Sequence, residues 1–137
     1  MAPEMISDDY EVDHRVDIYA LGCVAYWLVT GELVFDADNV IKMALAHTSQ
    51  KPIRPSKRTE IELPAELDAL ILRCLEKNPA DRFASVRELA EAFAAVPIKH
   101  PWNSKRAETW WMEQRGSTQL SKSSASPSEQ ELANATA

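Results

Sequence analysis

Glycine is scarce in this sequence, with only three in 137 residues. A self-contained phosphate cradle, which needs several glycines in one loop, is therefore excluded. Cysteine is scarce too: Cys23 and Cys74 both fall in apolar helical patterns and read as reduced, buried thiols. The histidines, His14, His47 and His100, are scattered with no second histidine at i+4, so no zinc motif is present. Basic runs of five or more residues are missing as well, and the net charge is −6. That balance argues against nucleic acid as a partner, because neutralising phosphates takes lysine and arginine patches. Aromatic residues make up 7 % of the chain. The longest apolar stretch, Val16 to Val29, contains Asp17 and is too short to span a membrane. Residues 1–15 are acidic and polar, unlike a secretory signal, so a cytoplasmic location is expected.

What is present is a set of helical patterns. An apolar content of 45 % over 137 residues allows one domain with a core. Val16 to Val29 is apolar all round the helical wheel, which predicts a helix wrapped by others. Asp13 is its expected N-cap and Gly31 its expected stop. Ala37 to Thr48 carries the stripe Ala37, Val40, Ile41, Ala44 and Leu45. Pro64 to Lys77 aligns Leu67, Leu70, Ile71, Cys74 and Leu75. Ser85 and Glu88 form a capping box ahead of Val86, Leu89, Ala90, Phe93 and Ala94. Pro52, Pro55 and the polar run Ser56 to Glu60 mark a long loop. A last short helix, Ser104 to Gln114, carries Trp110 and Trp111. Six serines between Ser117 and Ser128 predict a disordered tail over 115–137. The acidic cluster Asp8, Asp9, Glu11, Asp13 and His14 lacks calcium-loop spacing and reads as a solvated loop. Asn134-Ala135-Thr136 is a sequon without a secretory context. The expected architecture is all-α, one buried apolar helix surrounded by amphipathic ones.

Three charges have no evident local partner. Asp17 lies in the apolar helix, where it either serves its own N-terminus or meets a distant group. Arg82, in the turn K-N-P-A-D-R-F, is either an exposed turn arginine or a buried anchor. Glu4 follows Ala2-Pro3, and that proline holds Ala2 extended.

Ala2-Pro3-Glu4, then Asp17-Ile18-Tyr19-Ala20-Leu21-Gly22, then Cys74 through Lys77-Asn78-Pro79 to Arg82-Phe83 resemble, in order, the closing motifs of eukaryotic-like protein kinases. The Asp-x-Tyr-x-Leu-Gly and Lys-x-Pro-x-x-Arg forms are similar to Ser/Thr kinases. Trp102 to Trp111 is similar to the segment directly after the kinase domain in many bacterial members. The resemblance covers about residues 1–114, the C-terminal part of the large lobe from A-P-E onward. It implies that Glu4 pairs with Arg82, and that Asp17 reaches the backbone of a catalytic loop. It further implies that Gly22 allows close approach, that Val24 and Leu28 sit at the base of packed apolar columns, and that the helix Ala37–Thr48 docks protein substrates or regulators. One departure is Val34 before Phe35, where the family usually has proline.

The family uses ATP and magnesium, held by a glycine-rich loop, the V-A-I-K lysine, the H-R-D-L-x-x-x-N loop and the D-F-G aspartate. None of these motifs occurs in this sequence. The expectation is therefore a kinase-lobe fragment, from a truncated frame or a gene begun at Met1, with no catalytic, cofactor or metal residue and no activity alone. Two alternatives stand beside it: a non-catalytic interaction module derived from a kinase lobe, and an unrelated helical domain. In the fragment reading one face of Tyr19, Val24, Trp27 or Leu28 is left bare, which predicts marginal stability and self-association.

Overall fold

Five α-helices and three short 3₁₀ turns follow one another in the computed structural model, which describes residues 1–7, 11–99 and 101–123, the last of these by backbone alone from 116 on. The helices are α1 (Arg15–Thr30), α2 (Val40–Ser49), α3 (Ala65–Cys74), α4 (Val86–Ala94) and α5 (Ser104–Ser123). Among the described residues there is no strand. The all-helical expectation therefore holds. The 3₁₀ turns, Pro3–Met5, Pro55–Lys57 and Pro79–Asp81, each open on a proline, whose fixed φ suits a first helical position where no N–H partner is lost. The chain divides into two compact units, Met1–Ile98 and Lys99–Ala137.

In the first unit α3 is the wedge between two apolar clusters. Its Ile71 and the following Leu75 join Tyr19, Tyr26, Val34, Phe35 and Ala46. Its Leu70 and Cys74 join Ile18, Phe83, Leu89 and Val96. The predicted α3 stripe and the buried one agree because Leu67, Leu70, Ile71 and Cys74 recur every three or four residues. α3 ends earlier than the predicted Lys77. Its last turn tightens, the Leu75 N–H bonding the Leu72 carbonyl at 3.0 Å and the Glu76 N–H the Arg73 carbonyl at 3.4 Å, and the carbonyls of Glu76 and Lys77 beyond it accept from Arg82 (2.8 and 3.2 Å).

α1 lies across α3 at Gly22. A Cβ there would come within 2.6 Å of the Cys74 Cβ, so only glycine permits this crossing. Gly31 closes α1 in the left-handed region (φ 74°), its N–H bonding the Trp27 carbonyl at 2.7 Å. The N-cap position belongs to His14, not Asp13. Asp13 stands one residue further out and still accepts the Arg15 N–H at 2.8 Å.

The helix expected to be wrapped all round is wrapped on one side only. Ile18, Tyr19, Gly22 and Tyr26 are buried against α3 and the Pro55–Lys57 turn. Leu21, Val24, Trp27 and Leu28 are 45, 52, 52 and 69 % exposed. Val24, Trp27 and Leu28 thus stand on a bare face, as the fragment reading expects, while Tyr19 is buried.

Two further helices turn a different face inward from the one their stripes suggested. α2 starts at Val40, not Ala37, because Asn39 is extended and its side chain caps the Lys42 N–H at 2.9 Å. Its inward residues are Met43, Ala46 and His47, while Val40, Ile41 and Leu45 face solvent. α4 packs through Leu89, Ala92 and Val96, leaving Val86 and Phe93 exposed. Polar ties hold the first turn of α4. Ser85 accepts the Glu88 N–H at 3.2 Å, and Glu88 accepts the Ala84 N–H at 2.7 Å and Arg73 of α3 at 3.1 Å. α5 continues past the expected end at Gln114 to Ser123. The rest of the predicted disordered tail, the sequon, Asp8, Asp9 and His100 lie outside the described residues.

The docking of α2 rests on a polar junction. Lys77 donates to the His47 carbonyl at 2.7 Å, in the last turn of α2, and its ammonium sits 4.5 Å from the Phe35 ring centroid. His47 Nδ1 shares a 2.8 Å hydrogen bond with the Tyr19 hydroxyl. Burial lowers the His47 imidazole to about 4, the amino terminus and Lys77 adding to it. Folded His47 thus stays neutral where an unfolded histidine, near 6.5, takes up a proton. Its contribution is complete above pH 6.5 and is lost as pH falls toward 4. A melting-temperature profile should therefore decline over that interval, and His47→Gln should flatten the decline. An unchanged slope in the variant would remove His47 as its cause.

Candidate functional site

Among the described residues Arg82 is the largest side chain to be fully buried, at 2 % exposure, and it meets Glu4 at 3 %. The local sequence delivers both. Pro3 holds Ala2 extended (φ −72°, ψ 148°), and the turn that comes next directs Glu4 inward beneath the buried Ala2 and Pro3. Asn78 accepts the Ala80 N–H at 3.0 Å and starts the Pro79–Asp81 turn, which leaves Arg82 extended and aimed into the same space.

The guanidinium has five N–H groups, and each finds an acceptor. Nη1 donates to Glu4 Oε1 at 2.7 Å and to the Arg15 carbonyl at 3.0 Å. Nη2 donates to Glu4 Oε2 at 2.8 Å and to the Lys77 carbonyl at 3.2 Å. Nε donates to the Glu76 carbonyl at 2.8 Å. The cation also lies 4.8 Å from the Tyr19 ring centroid. One side chain thereby joins the N-terminal turn, the first residue of α1 and the end of α3. A buried ion pair is costly unless its remaining hydrogen-bonding capacity is filled, and here it is. Burial alone would raise the Glu4 carboxyl; the Arg82 hydrogen bond, a bond to its own backbone and the Arg82 charge outweigh that and hold it below 4.5.

Arg73 backs this junction from α3. Its guanidinium stacks 4.1 Å from the Phe83 ring centroid and donates to the Arg82 carbonyl at 3.4 Å and to Glu88 at 3.1 Å. His14 Nε2 meets the Ala84 carbonyl at 2.9 Å, tying the entry to α1 to the same loop. Sequence reading missed Arg73, His14, and the Tyr19–His47–Lys77 junction. Arg73 and His14 stand within a turn of a motif residue and Tyr19 and Lys77 lie inside the motifs, but nothing in the sequence marks His47.

The other candidates are not drawn into this cluster. Asp17 is exposed in the first turn of α1, and its carboxylate makes no hydrogen bond or ion pair among the described residues. Gly22 serves the crossing with Cys74. Val24 and Leu28 line the bare face. Among the described residues no group of three histidine, cysteine or acidic side chains is placed to hold a metal ion. Gly22 is packed against α3 and Gly31 ends a helix, so neither offers backbone N–H groups to a phosphate. Both thiols are free, and burial pushes Cys74 up to about 12, the opposite of an activated nucleophile. The cluster is an anchor.

The protein kinase domain matches residues 1–102. The chain belongs to the protein kinase family. It corresponds to the C-terminal part of the large lobe of a bacterial-type Ser/Thr kinase, from the A-P-E motif onward. Serine/threonine-protein kinase PknB of Mycobacterium tuberculosis is 43 % identical over 101 residues, 74 % of this chain and 16 % of that kinase. Serine/threonine-protein kinase pkn3 of Myxococcus xanthus is 42 % identical over 96 residues, 69 % of this chain and 17 % of that kinase. For serine/threonine-protein kinase PksC of Streptomyces coelicolor the figure is 41 % over 93 residues, 63 % of this chain and 16 % of that kinase. The chain thus spans about one sixth of these kinases. No helix among the described residues is long and apolar enough to cross a membrane.

Removing one partner of the kinase-lobe anchor leaves the other charged and buried, so Arg82→Ala should cost about 3–5 kcal/mol. That is a large part of a small domain's stability of about 5–15 kcal/mol. Arg82→Lys, with three N–H groups in place of five, should recover only a minor part. Because the Glu4 carboxyl is lowered, the pair's contribution is present above pH 4.5 and lost as pH falls below it. Urea titrations at pH 7 and pH 3.5 check both. Equal losses for Arg82→Ala and for an exposed control, Arg87→Ala, would refute the anchor.

Proposed function

We infer that this chain acts as the helical base of a Ser/Thr kinase large lobe, holding the end of the activation segment in place without itself transferring phosphate. The observation that carries this reading is the filled guanidinium of Arg82, which fastens Glu4 of the A-P-E segment to α1 and α3. Phosphoryl transfer depends on positioned metal ions, a base and a lysine on the phosphates. The sequence motifs that supply them do not occur here. ATP and magnesium would be held by kinase segments other than this one.

Docking belongs to the same reading. Val40, Ile41 and Leu45 of α2 are 82, 81 and 63 % exposed, an apolar row suited to a protein substrate or regulator. The alternative, a non-catalytic interaction module derived from a kinase lobe, draws support from the same row and from the bare face of α1. That face, with Leu21, Val24, Trp27 and Leu28, favours self-association and marginal stability. With both thiols free, the reading puts the chain in the cytoplasm.

Incubating the purified chain with magnesium and γ-labelled ATP should give no more incorporation than an Arg82→Ala control. Incorporation above that control overturns the non-catalytic reading. In sedimentation velocity the chain should form dimers or larger species at micromolar concentration. A monodisperse monomer with a cooperative, high-temperature melt would refute the self-association.

A further inference from the structure

The loop between α2 and α3 carries a clasp that none of the kinase motifs involves. Asp68, in the first turn of α3, is a carboxylate only 3 % exposed. Its two oxygens face Ser56: Oδ1 accepts the Ser56 N–H at 2.9 Å, and Oδ2 accepts the Ser56 hydroxyl at 2.7 Å. Arg54 Nη1 stands 3.9 Å from the same Oδ2. Pro55, between them, is fully buried, and the Pro55–Lys57 turn packs on both α1 and α3. The clasp therefore holds the loop onto both helices. Ser56 is an exposed residue, so a buried carboxylate is being satisfied by a side chain at the protein surface.

The flanks of this serine are cationic: Arg54-Pro55-Ser56-Lys57-Arg58. Arg58 is committed to the Leu33 carbonyl at 3.0 Å and Glu32 at 3.3 Å. The Arg54 side chain is 63 % exposed, and Lys57 is exposed beside it. In a chain of net charge −6, this is a local positive patch around one hydroxyl.

We propose that Ser56 is a phosphoacceptor site for a basic-directed Ser/Thr kinase, and that phosphate there opens the loop from α3. In the modification the Ser56 oxygen bonds to the γ-phosphorus of ATP as the bond to the β-phosphate oxygen breaks. ADP leaves with that electron pair, and the hydroxyl proton passes to the modifying enzyme's base. The product replaces the donor that Asp68 Oδ2 uses with a group of about −1.5 to −2 charge. Two anions then face each other at hydrogen-bond distance, with the Asp68 side unable to reach water. Arg54 leaves Asp68 for the phosphate, a stronger partner. Pro55 loses the tie that keeps it in the seam.

The test uses the full chain, a purified basic-directed Ser/Thr protein kinase, magnesium and ATP. Tandem mass spectrometry should place phosphate on the Arg54–Arg58 peptide in wild type and not in Ser56→Ala. Hydrogen exchange should then show the Ser56 N–H opening about tenfold faster in the phosphorylated chain, with residues 51–63 following it. Asp68→Asn keeps an acceptor for that N–H without the charge, so its phosphorylated form should gain much less. Phosphate confined to other serines overturns the site. Phosphate on Ser56 without faster exchange, or an equal gain in Asp68→Asn, overturns the opening.

Discussion

A carboxylate and a guanidinium shut away from water set the terms for the rest of this molecule. Neither Glu4 nor Arg82 could be buried alone, since an unpaired charge in an apolar interior costs more than a small domain can supply. Their meeting forces three segments to converge, because the N–H groups left over after the bidentate pair need carbonyls, and Arg15, Glu76 and Lys77 provide them. The end of α3, the start of α1 and the Ala2-Pro3-Glu4 turn are thereby fixed relative to one another by hydrogen-bond geometry, which is directional, and not by apolar contact, which is not.

Around that point the apolar packing is lopsided. α3 contributes residues to two clusters, and α1 contributes to both from one side of its wheel. The helices at the edge, α2 and α4, are held by polar contacts at their ends: Lys77 on the last turn of α2, and Arg73 with Ser85 on the first turn of α4. Such contacts tie a helix down at little apolar area. α2 meanwhile presents Val40, Ile41 and Leu45 outward, although its composition alone would bury them.

How far the fold could be read from the sequence depends on this division. Helix existence was legible, since the 3.6-residue period, Gly31 and the Ser85–Glu88 pair are local signals. The α3 face was legible because its stripe is narrow and its neighbours lie on both sides. The faces of α2 and α4 were not, because each has two overlapping stripes and periodicity does not choose between them. The boundary of α3 was missed because its stripe runs on to Leu75 while its last turn tightens into bonds from Leu75 to Leu72 and from Glu76 to Arg73. Residues carrying the kinase motifs could be located by order along the chain, but Arg73 and His14, the side chains that brace the loop around Arg82, carry no motif. The bareness of Val24 and Leu28 depends on what covers α1, and periodicity reports apolar character without reporting a neighbour.

The separation of Glu4 from Arg82, seventy-eight positions, also orders events in time. Chains grow from the N-terminus at about 5–20 residues per second. Glu4 is therefore made roughly 4–16 s before Arg82, and the turn it sits in has no cation to receive it during that interval. Tyr19 and the early turns of α1 emerge before the guanidinium that stacks on them and before α3, the surface they pack on. The N-terminal turn can be fastened only once most of the first unit has been synthesised, so the turn Asn78 to Phe83 acts as a latch that closes on segments already waiting, with α4 alone still to come.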